Sequence, residues 1–496
     1  MSNDPHYAPS TIPTNVVDSF RYAFSSPTQL RREVFGGLIV ALALVPEAIS
    51  FSVLAGVDPA VGLYSSVIMT VVISLTGGRP AMIAASTGAV AVVIAPVARD
   101  YGMNYFLATV VLAGVIQLIL ASLDVARLLR FIPRSVMTGF VNALALVVLS
   151  GQIRHLINVP WLVYPLVLLG IAILVFLPRL STVVPAPLVV VLLLTISTIY
   201  FDWDLPTVGD QGELPTSLPN LLVPVVPLTW ETLTIIGPFA LAMALVGLME
   251  SLLTAKLIDD ITESHSSKAR ESFGQGLANV MSGLFGGMGG CTVIGQTLIN
   301  VKEAQARTRL STLLSGGFLL VLLLAFSDAV GKIPMAALVA IMLMVVTHTF
   351  DWHSVKPRTL KLMPVSETVI MLLTVATTLL THNLAIGVGV GVLAAMVAFS
   401  RKVSNVASVT ETPTGYQVNG PLFWAASNDL IYNFDYNRGL QHVEIDLSEA
   451  RIWDASTVAT FDAITQKYAA KGTTVSIVGL DARSQQIVDR LSGQLG

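Results

Sequence analysis

The sequence contains only one cysteine, Cys291, and few charged residues. A single thiol excludes an intramolecular disulfide and a metal site built from several cysteines. Charged residues make up 12% of the chain, compared with roughly a quarter of an ordinary soluble protein, and this excludes a soluble globule. The sequence also lacks a nucleotide-binding loop, a nucleophile–base arrangement and a metal-ligand cluster, so it predicts neither an enzyme nor a resident cofactor or metal.

Hydrophobic residues make up 54% of the chain and occur in long runs. Runs such as 34–55 and 235–255 approach the roughly 20 residues that a helix needs to cross a bilayer. Breaks in hydropathy divide residues 34–402 into about fourteen such segments, numbered here as spans 1 to 14. The preceding segment, residues 1–33, lacks the apolar stretch and cleavage site of a signal peptide. The sequence therefore predicts a multi-pass protein of the cell inner membrane, in contact with the lipid bilayer.

The distribution of Lys and Arg predicts the orientation of these spans. With a cytoplasmic N-terminus, nineteen Lys and Arg residues fall on the inner side and three on the outer side, namely Arg99, Arg154 and Lys332. The long outer loop 202–231 contains neither residue type. Cytoplasmic loops concentrate positive charge, so both termini are predicted to be cytoplasmic. Basic residues outside these loops form no patch of the kind that binds nucleic acid.

The fourteen spans divide into two groups of seven. Because seven is an odd number, the second group enters the membrane in the opposite sense, which is the condition for an inverted-topology repeat. Span 1 contains Ala-Leu-Ala-Leu-Val at 41–45 followed by Glu47, and span 8 contains Ala-Met-Ala-Leu-Val at 242–246 followed by Glu250. Spans 3 and 10 also correspond, and both begin irregularly, with Gly-Gly-Arg-Pro at 77–80 and Gly-Gly-Met-Gly-Gly at 286–290. Irregular backbone at membrane depth is tolerated where it is buried in protein or lines a water-filled cavity, so these spans indicate the site.

Two half-helices whose N-termini meet near the middle of the bilayer present free N–H groups to an anion. The predicted substrate-binding residues lie at these helix starts: Ser86, Thr87, Gly88, Thr292, Gly295 and Gln296. The alternative explanation for such small residues is close packing of membrane helices.

Glu47 and Glu250 are predicted to carry a coupling proton. They are the acidic residues placed deepest within apolar spans, where an ionisable group costs several kcal/mol unless it is protonated, paired or hydrated. Thr254 and Asn300 are candidates for a cation site or for supporting contacts to the anion site. A hydrogen bond to a neighbouring helix is the alternative for each of these polar residues.

Residues 403–496 are predicted to form a separate cytoplasmic domain. Strand patterns occur at 416–418, 442–447 and 473–478, and helical patterns occur at about 455–471 and 482–492. Alternation of strands and helices within about a hundred residues indicates a small α/β domain.

Several motifs together resemble those of the sulfate permease (SulP) family of anion transporters, related to solute carrier family 26. They are Pro-Ala-Val-Gly-Leu-Tyr at 59–64, the segment 133–140, Met-Glu-Ser-Leu-Leu at 249–253 and Gln-Gly-Leu-Ala-Asn at 275–279. The resemblance implies a seven-plus-seven inverted repeat shared with uracil permeases, with a core domain moving against a gate domain. It also implies a homodimer and a C-terminal STAS domain that binds a regulatory protein.

Two positions stand out against the family pattern. Many members have an arginine in span 10, where this chain has Gln296, so anion binding would depend on helix dipoles and hydroxyl groups. Ser456 corresponds to the position at which related antagonist proteins are phosphorylated, and its alternative role is to cap the following helix.

The sequence leaves several functions open. We expect proton-coupled symport of a small anion by an elevator-like movement, the anion being bicarbonate, sulfate or a small carboxylate or dicarboxylate. Sodium-coupled bicarbonate symport is an alternative, with Glu250, Thr254 and the span-10 backbone binding Na⁺. An anion exchanger, a channel and a membrane-anchored regulator are further alternatives.

Overall fold

The computed structural model describes residues 14–124, 132–180, 186–215, 217–381, 383–404, 406–427 and 430–494. The chain divides into two compact units, residues 1–391 and 392–496. Of the predicted N-terminal segment 1–33, residues 1–13 lie outside the described part.

Helices dominate the first unit. In the first half they are α1 (Val16–Ala23), α2 (Pro27–Ala55), α3 (Pro59–Thr76), α4 (Gly88–Tyr101), α5 (Met103–Ser122), α6 (Arg134–Ile153), α7 (Val163–Leu180) and α8 (Ala186–Tyr200). In the second half they are α9 (Trp230–Thr262), α10 (Lys268–Leu284), α11 (Ile294–Leu298), α12 (Arg309–Gly331), α13 (Met335–Thr349), α14 (Pro357–Leu362), α15 (Val365–Thr381) and α16 (Leu384–Ser404), the last of which runs on into the second unit.

The helices agree with the order of the predicted spans. Seven described helices are long and apolar enough to cross a membrane, and four more are apolar but shorter. Span 3 consists of strand β1 (Ala84–Ala85) followed by α4, and span 10 consists of strand β2 (Cys291–Thr292), α11 and a π-helical turn, Ile299–Glu303. The fold is therefore a polytopic helical membrane protein, consistent with fourteen membrane elements.

Two groups of helices pack within this unit. In the first group, α10 packs on α3 and α5, α12 packs on α2 and α3, and α9 packs on α4 and α5. In the second group, α15 packs on α6, and α13 packs on α6 and α7. The first group carries both short strands and both interrupted spans, and it therefore contains the candidate site.

A buried carboxylate holds the start of α12. Glu33 on α2 is 0% exposed, and its carboxylate accepts hydrogen bonds from the backbone N–H groups of Arg307 (2.8 Å), Thr308 (3.1 Å) and Ser311 (3.2 Å). N–H groups at a helix start have no partner within their own helix, and a negative charge there is also favoured by the helix dipole. Glu33 thus fixes α2 to α12.

We expect Glu33→Ala to reduce the free energy of unfolding by about 3 kcal/mol, because it leaves several buried N–H groups without acceptors. Thermal unfolding of the purified protein in detergent measures this change. The matched control is Glu367→Ala, which removes an exposed carboxylate from the first turn of α15 and should change stability little. Equal stability of the Glu33 and Glu367 variants would contradict this role for Glu33.

The second unit contains a four-stranded sheet in the order β3-β4-β5-β6. Its elements are β3 (Ser408–Glu411), β4 (Gly415–Leu422), α17 (Trp424–Ser427), β5 (His442–Ile452), α18 (Ala455–Ala469), β6 (Thr474–Val478) and α19 (Ala482–Leu491). Strands β3 and β4 are antiparallel, whereas β4 with β5 and β5 with β6 are parallel. Apolar residues of the strands and of α18 and α19 form its core. The predicted strands and helices are confirmed, and β3 is an additional strand.

The interpretation of Ser456 as a helix cap is wrong. The cap of α18 is Asp454, whose Oδ1 accepts hydrogen bonds from the backbone N–H (3.1 Å) and hydroxyl (3.0 Å) of Thr457. Ser456 is the second residue of the helix, and it is exposed. Asp454 takes the cap because its carboxylate also carries the negative charge that the helix N-terminus favours.

Candidate functional site

The two interrupted spans meet through a pair of short strands. Strand β1 pairs with β2 in antiparallel register, with Ala84 opposite Thr292 and Ala85 opposite Cys291. The backbone N–H of Val293 extends the pairing by donating to the carbonyl of Ile83 (2.8 Å). Helix α4 begins three residues after β1 and α11 begins two residues after β2. The pairing therefore brings the two helix N-termini to one place, as the sequence predicts.

Side chains of α10 satisfy the irregular backbone that leads into β2. Asn279 is fully buried. Its amide accepts from the N–H of Gly290 (2.9 Å) and donates to the Gly290 carbonyl (3.1 Å) and to Gln117 Oε1 (2.8 Å). Ser282 accepts from the N–H of Gly289 (3.1 Å). Buried backbone groups need such partners, and this explains why irregular backbone is stable at this depth.

In the first half, the predicted binding residues face partners within the protein. The Ser86 hydroxyl pairs with Ser66 Oγ at 2.9 Å, and the Thr87 hydroxyl lies 3.1 Å from Cys291 Sγ. Gly88 is the first residue of α4, and a Cβ there would lie 2.9 Å from Phe51 Cε1. Close packing against Phe51 therefore accounts for the glycine at 88.

Among the described residues, the buried polar atoms without a partner include two near the start of α11. They are Thr292 Oγ1 and Gln296 Oε1, on residues that are 0% and 2% exposed. Gly295 lies between them in the sequence and is exposed, and a Cβ added there would meet no atom within 4 Å. A buried polar atom without a partner is costly. The start of α11 thus combines open space with unpartnered polar atoms, which is suited to a polar ligand.

The two predicted coupling carboxylates each contact this region. The carboxyl of Glu250 on α9 accepts a hydrogen bond from Cys291 Sγ at 2.9 Å. The carboxyl of Glu47 on α2 lies close to the side chain of Gln296 on α11. Both glutamates are partly exposed although they lie in the middle of membrane helices. They therefore border space at the site, one from each half of the chain.

Thr254 and Asn300 make contacts that support helix packing. The Thr254 hydroxyl donates to the carbonyl of Glu250 on its own helix (2.8 Å). The Asn300 amide donates to the Ala81 carbonyl and to Ser311 Oγ, both at 2.9 Å. Within the described residues, no group of three or more His, Cys, Asp and Glu side chains is arranged to hold a metal ion.

Sequence reasoning missed three kinds of residue near the site. Cys291 stands out in the sequence for its rarity alone, although its thiol joins Glu250 to Thr87. Asn279 belongs to a motif, but the motif does not reveal its contacts. Glu33 and Glu271 lie at the ends of predicted spans, and both are 0% exposed. Glu271 accepts from the backbone N–H groups of Gly78 (2.7 Å) and Arg79 (3.1 Å) at the entry to span 3.

Comparisons with known proteins match both units. The model of the Sulfate permease family matches residues 30–165 and 157–374, and that of the STAS domain matches residues 399–493. The chain is 46% identical over 467 residues to the putative sulfate transporter YbaR of Bacillus subtilis, covering 93% of this chain and 97% of YbaR. It is 29% identical over 412 residues to the bicarbonate transporter BicA of Picosynechococcus, covering 76% and 72% of the two chains.

Solved structures show the same fold. The transmembrane domain of a cyanobacterial BicA matches with a TM-score of 0.65 and 26% identity, covering 72% of this chain and 97% of that domain. Murine Solute Carrier 26 family member A9, an anion transporter solved in the inward-facing state, matches with a TM-score of 0.82 and 16% identity, covering 96% and 90% of the two chains.

The fold and the family matches define a multi-pass membrane transport protein with an attached STAS domain, and not an enzyme. The chain belongs to the sulfate permease family. The resemblance that its motifs carry is thereby confirmed.

Proposed function

We propose that this protein is a secondary active transporter that moves a small anion together with a proton. One observation carries the proposal: two membrane carboxylates, from corresponding positions of the two halves, contact the paired half-helix starts. Glu250 accepts a hydrogen bond from Cys291, and Glu47 lies close to the side chain of Gln296. A carboxyl that alternates between protonated and ionised forms beside a bound anion can bind the proton and the anion together. The helix group that carries the two short strands would then move and expose the site to each side of the membrane in turn.

The expected substrate is a weakly bound anion of low charge. The segments around the two half-helix starts, 83–95 and 288–301, contain no Lys or Arg. Binding would therefore use backbone N–H groups at the helix starts and the hydroxyls of Thr87 and Thr292. Such neutral donors suit bicarbonate or a monocarboxylate better than sulfate, whose two charges remain less compensated. The similarity to both sulfate and bicarbonate transporters leaves both anions as substrates to test.

A competition panel tests the substrate class. Purified protein in proteoliposomes takes up labelled bicarbonate, sulfate or a carboxylate, and each unlabelled anion is added in turn. We expect inhibition by bicarbonate and monocarboxylates at lower concentration than by sulfate. Stronger inhibition by sulfate would contradict the assignment of a site without fixed positive charge. Ligand binding with no uptake by pure protein would favour a regulator, and unitary currents would favour a channel.

Replacing Gln296 with Arg is expected to change the substrate preference. A guanidinium at the start of α11 adds a fixed positive charge and charge-assisted hydrogen bonds to a bound anion, and we expect sulfate to inhibit uptake at about tenfold lower concentration. Gln296→Met, which has a similar length and no charge, is the matched control. An unchanged sulfate preference in the Arg variant would contradict the location of the anion at this helix start.

Sodium-coupled bicarbonate symport remains the alternative, with Na⁺ near Glu250 and Thr254. Anion exchange and the channel alternative are distinguished by the same reconstituted system. The homodimer, the cytoplasmic position of both termini, and a regulatory protein at the STAS domain, with Ser456 exposed on its surface, stay predictions.

A further inference from the structure

The single cysteine lies where Glu250, strand β2 and the start of α4 meet. Cys291 is fully buried, and its Sγ lies 2.9 Å from Glu250 Oε2 and 3.1 Å from Thr87 Oγ1. Thr87 is the cap residue of α4, yet its side chain makes no capping hydrogen bond. The three side chains therefore form one continuous path from the proposed proton carrier to the proposed anion site.

The direction of these hydrogen bonds depends on the protonation of Glu250. An ionised carboxylate only accepts hydrogen bonds, so the thiol donates to it, and the sulfur accepts from the Thr87 hydroxyl. A protonated carboxyl is itself a donor. It can donate to the sulfur, and the thiol hydrogen then turns toward Thr87 Oγ1. In this second arrangement the Thr87 hydroxyl no longer donates a hydrogen bond to the sulfur, so it can donate one to an anion.

We propose that Cys291 is the positioning residue that couples the protonation of Glu250 to the availability of the Thr87 hydroxyl as a donor to the anion. The inference rests on the proposed function and extends it. Because the bridge releases an anion donor only when the proton is bound, proton and anion bind cooperatively. No proton is transferred along the path, and only the direction of each hydrogen bond reverses.

Two buried polar atoms that follow Cys291 closely in the sequence have no hydrogen-bond partner. Thr292 follows Cys291 on the same strand, and its hydroxyl has no partner although the residue is fully buried. Gln296 Oε1 is likewise buried and unpartnered. Cys291 thus belongs to a segment, 291–296, that offers buried polar atoms to a polar ligand.

Other charged groups on the elements packed against α9 either bind other residues or lie exposed after α11. Arg99 and Asp100 of α4 pair with each other, and α5 contains no charged residue. On α10, the charged residues lie in its first turn and bind groups near the ends of α3 and α9: Lys268, Arg270 and Glu271. Lys302 and Glu303 follow α11 in the π-helical turn. Among the described residues, Cys291 is therefore the titratable group in hydrogen-bonding contact with the Glu250 carboxyl.

Infrared spectroscopy tests the bridge directly, because the chain has one thiol and hence one S–H stretching band. We expect the band to shift in Glu250→Gln, where the acceptor charge is lost, and in Thr87→Val, where the hydroxyl is lost. We also expect it to shift with pH in the wild type and not in Glu250→Gln. A band that is the same in all three proteins and at every pH would overturn the proposal.

Transport measurements test the coupling. Radiolabelled bicarbonate is the probe, or radiolabelled sulfate if bicarbonate is not taken up. At a pH where wild-type uptake is fastest, we expect Cys291→Ala to raise KM by about threefold to tenfold and to flatten the dependence of KM on pH. Cys291→Ser, whose hydroxyl can both donate and accept, should restore most of that dependence. An Ala variant with the wild-type KM and pH dependence would overturn the coupling role.

A double-mutant cycle separates coupling from a general loosening of β2. Cys291→Ala should add little to the KM of Glu250→Gln, because a glutamine at position 250 has no protonation change for Cys291 to couple to Thr87. Ser251→Ala removes another hydrogen bond to this strand, from Thr292 N–H to Ser251 Oγ (3.0 Å), and its effect should be additive with Glu250→Gln. If Cys291→Ala and Ser251→Ala were equally additive with Glu250→Gln, the inference would be overturned.

The failure of the inference can be distinguished from the failure of the proposed function. If wild-type uptake does not respond to a pH gradient, the proposed function fails. If uptake follows the gradient and Cys291→Ala behaves as wild type, only the inference fails.

Discussion

Glu250→Gln is expected to abolish concentrative uptake of the anion and to leave downhill movement measurable. Glutamine keeps the size and polarity of the side chain but cannot gain or lose a proton, so the anion loses its link to the proton gradient. The Glu250 carboxyl lies beside the paired strands that precede the two half-helices, because it accepts a hydrogen bond from Cys291 on β2. Accumulation is measured in proteoliposomes with an inward proton gradient and is compared with exchange at equal concentrations on both sides.

The control for this variant lies on the same helix. Glu231 is in the first turn of α9 and is exposed, and Glu231→Gln should accumulate the anion as the wild type does. Glu47→Gln tests the second carboxylate, which lies close to Gln296. Accumulation by Glu250→Gln to the wild-type level would remove Glu250 from the mechanism and leave Glu47 as the candidate proton carrier.

Gly290→Ala is expected to reduce uptake at least tenfold by separating the two short strands. A Cβ at this position would lie 1.9 Å from the Ala85 carbonyl oxygen and 2.9 Å from the Ser86 Cα, which is far inside van der Waals contact. Strand β2 must then move away from β1, and the helix starts that follow the two strands separate. Because small displacements of binding groups have large effects on rates, transport should fall more steeply than stability.

Uptake and thermal unfolding are measured on the same preparation of this variant. The matched control is Gly317→Ala on α12, where an added Cβ meets no atom within 4 Å. It should leave both quantities close to the wild type. Wild-type uptake by Gly290→Ala would contradict the claim that close pairing of β1 and β2 builds the site.

The lengths and positions of the apolar runs predicted the order and several bounds of the membrane helices. The predicted first span ends at residue 56 and α2 ends at Ala55, while predicted span 7 and α8 both begin at residue 186. This agreement has a physical cause, since a helix needs roughly 20 apolar residues to cross a bilayer. Glycine-rich entries likewise predicted where spans 3 and 10 depart from helix.

Specific side-chain partners could not be predicted in the same way. Glu33 and Glu271 lie next to charged loops in the sequence, and their burial depends on helix ends brought from distant parts of the chain. In the sequence, Cys291 resembles the other small apolar residues of its span. Only the pairing of β1 with β2 in the structure shows that it lies between Thr87 and Glu250. The capping role expected of Ser456 is filled by Asp454, because two suitable cap residues lie within one turn.

The driving ion tests the central claim most directly. Proteoliposomes containing the wild-type protein are given an inward proton gradient, an inward Na⁺ gradient, or neither, with the membrane potential clamped in each case. Proton-coupled symport predicts accumulation of the anion above equilibrium with the proton gradient alone, and loss of that accumulation in Glu250→Gln. Accumulation driven by Na⁺ alone would support the sodium-coupled alternative, and uptake indifferent to both gradients would contradict coupled symport.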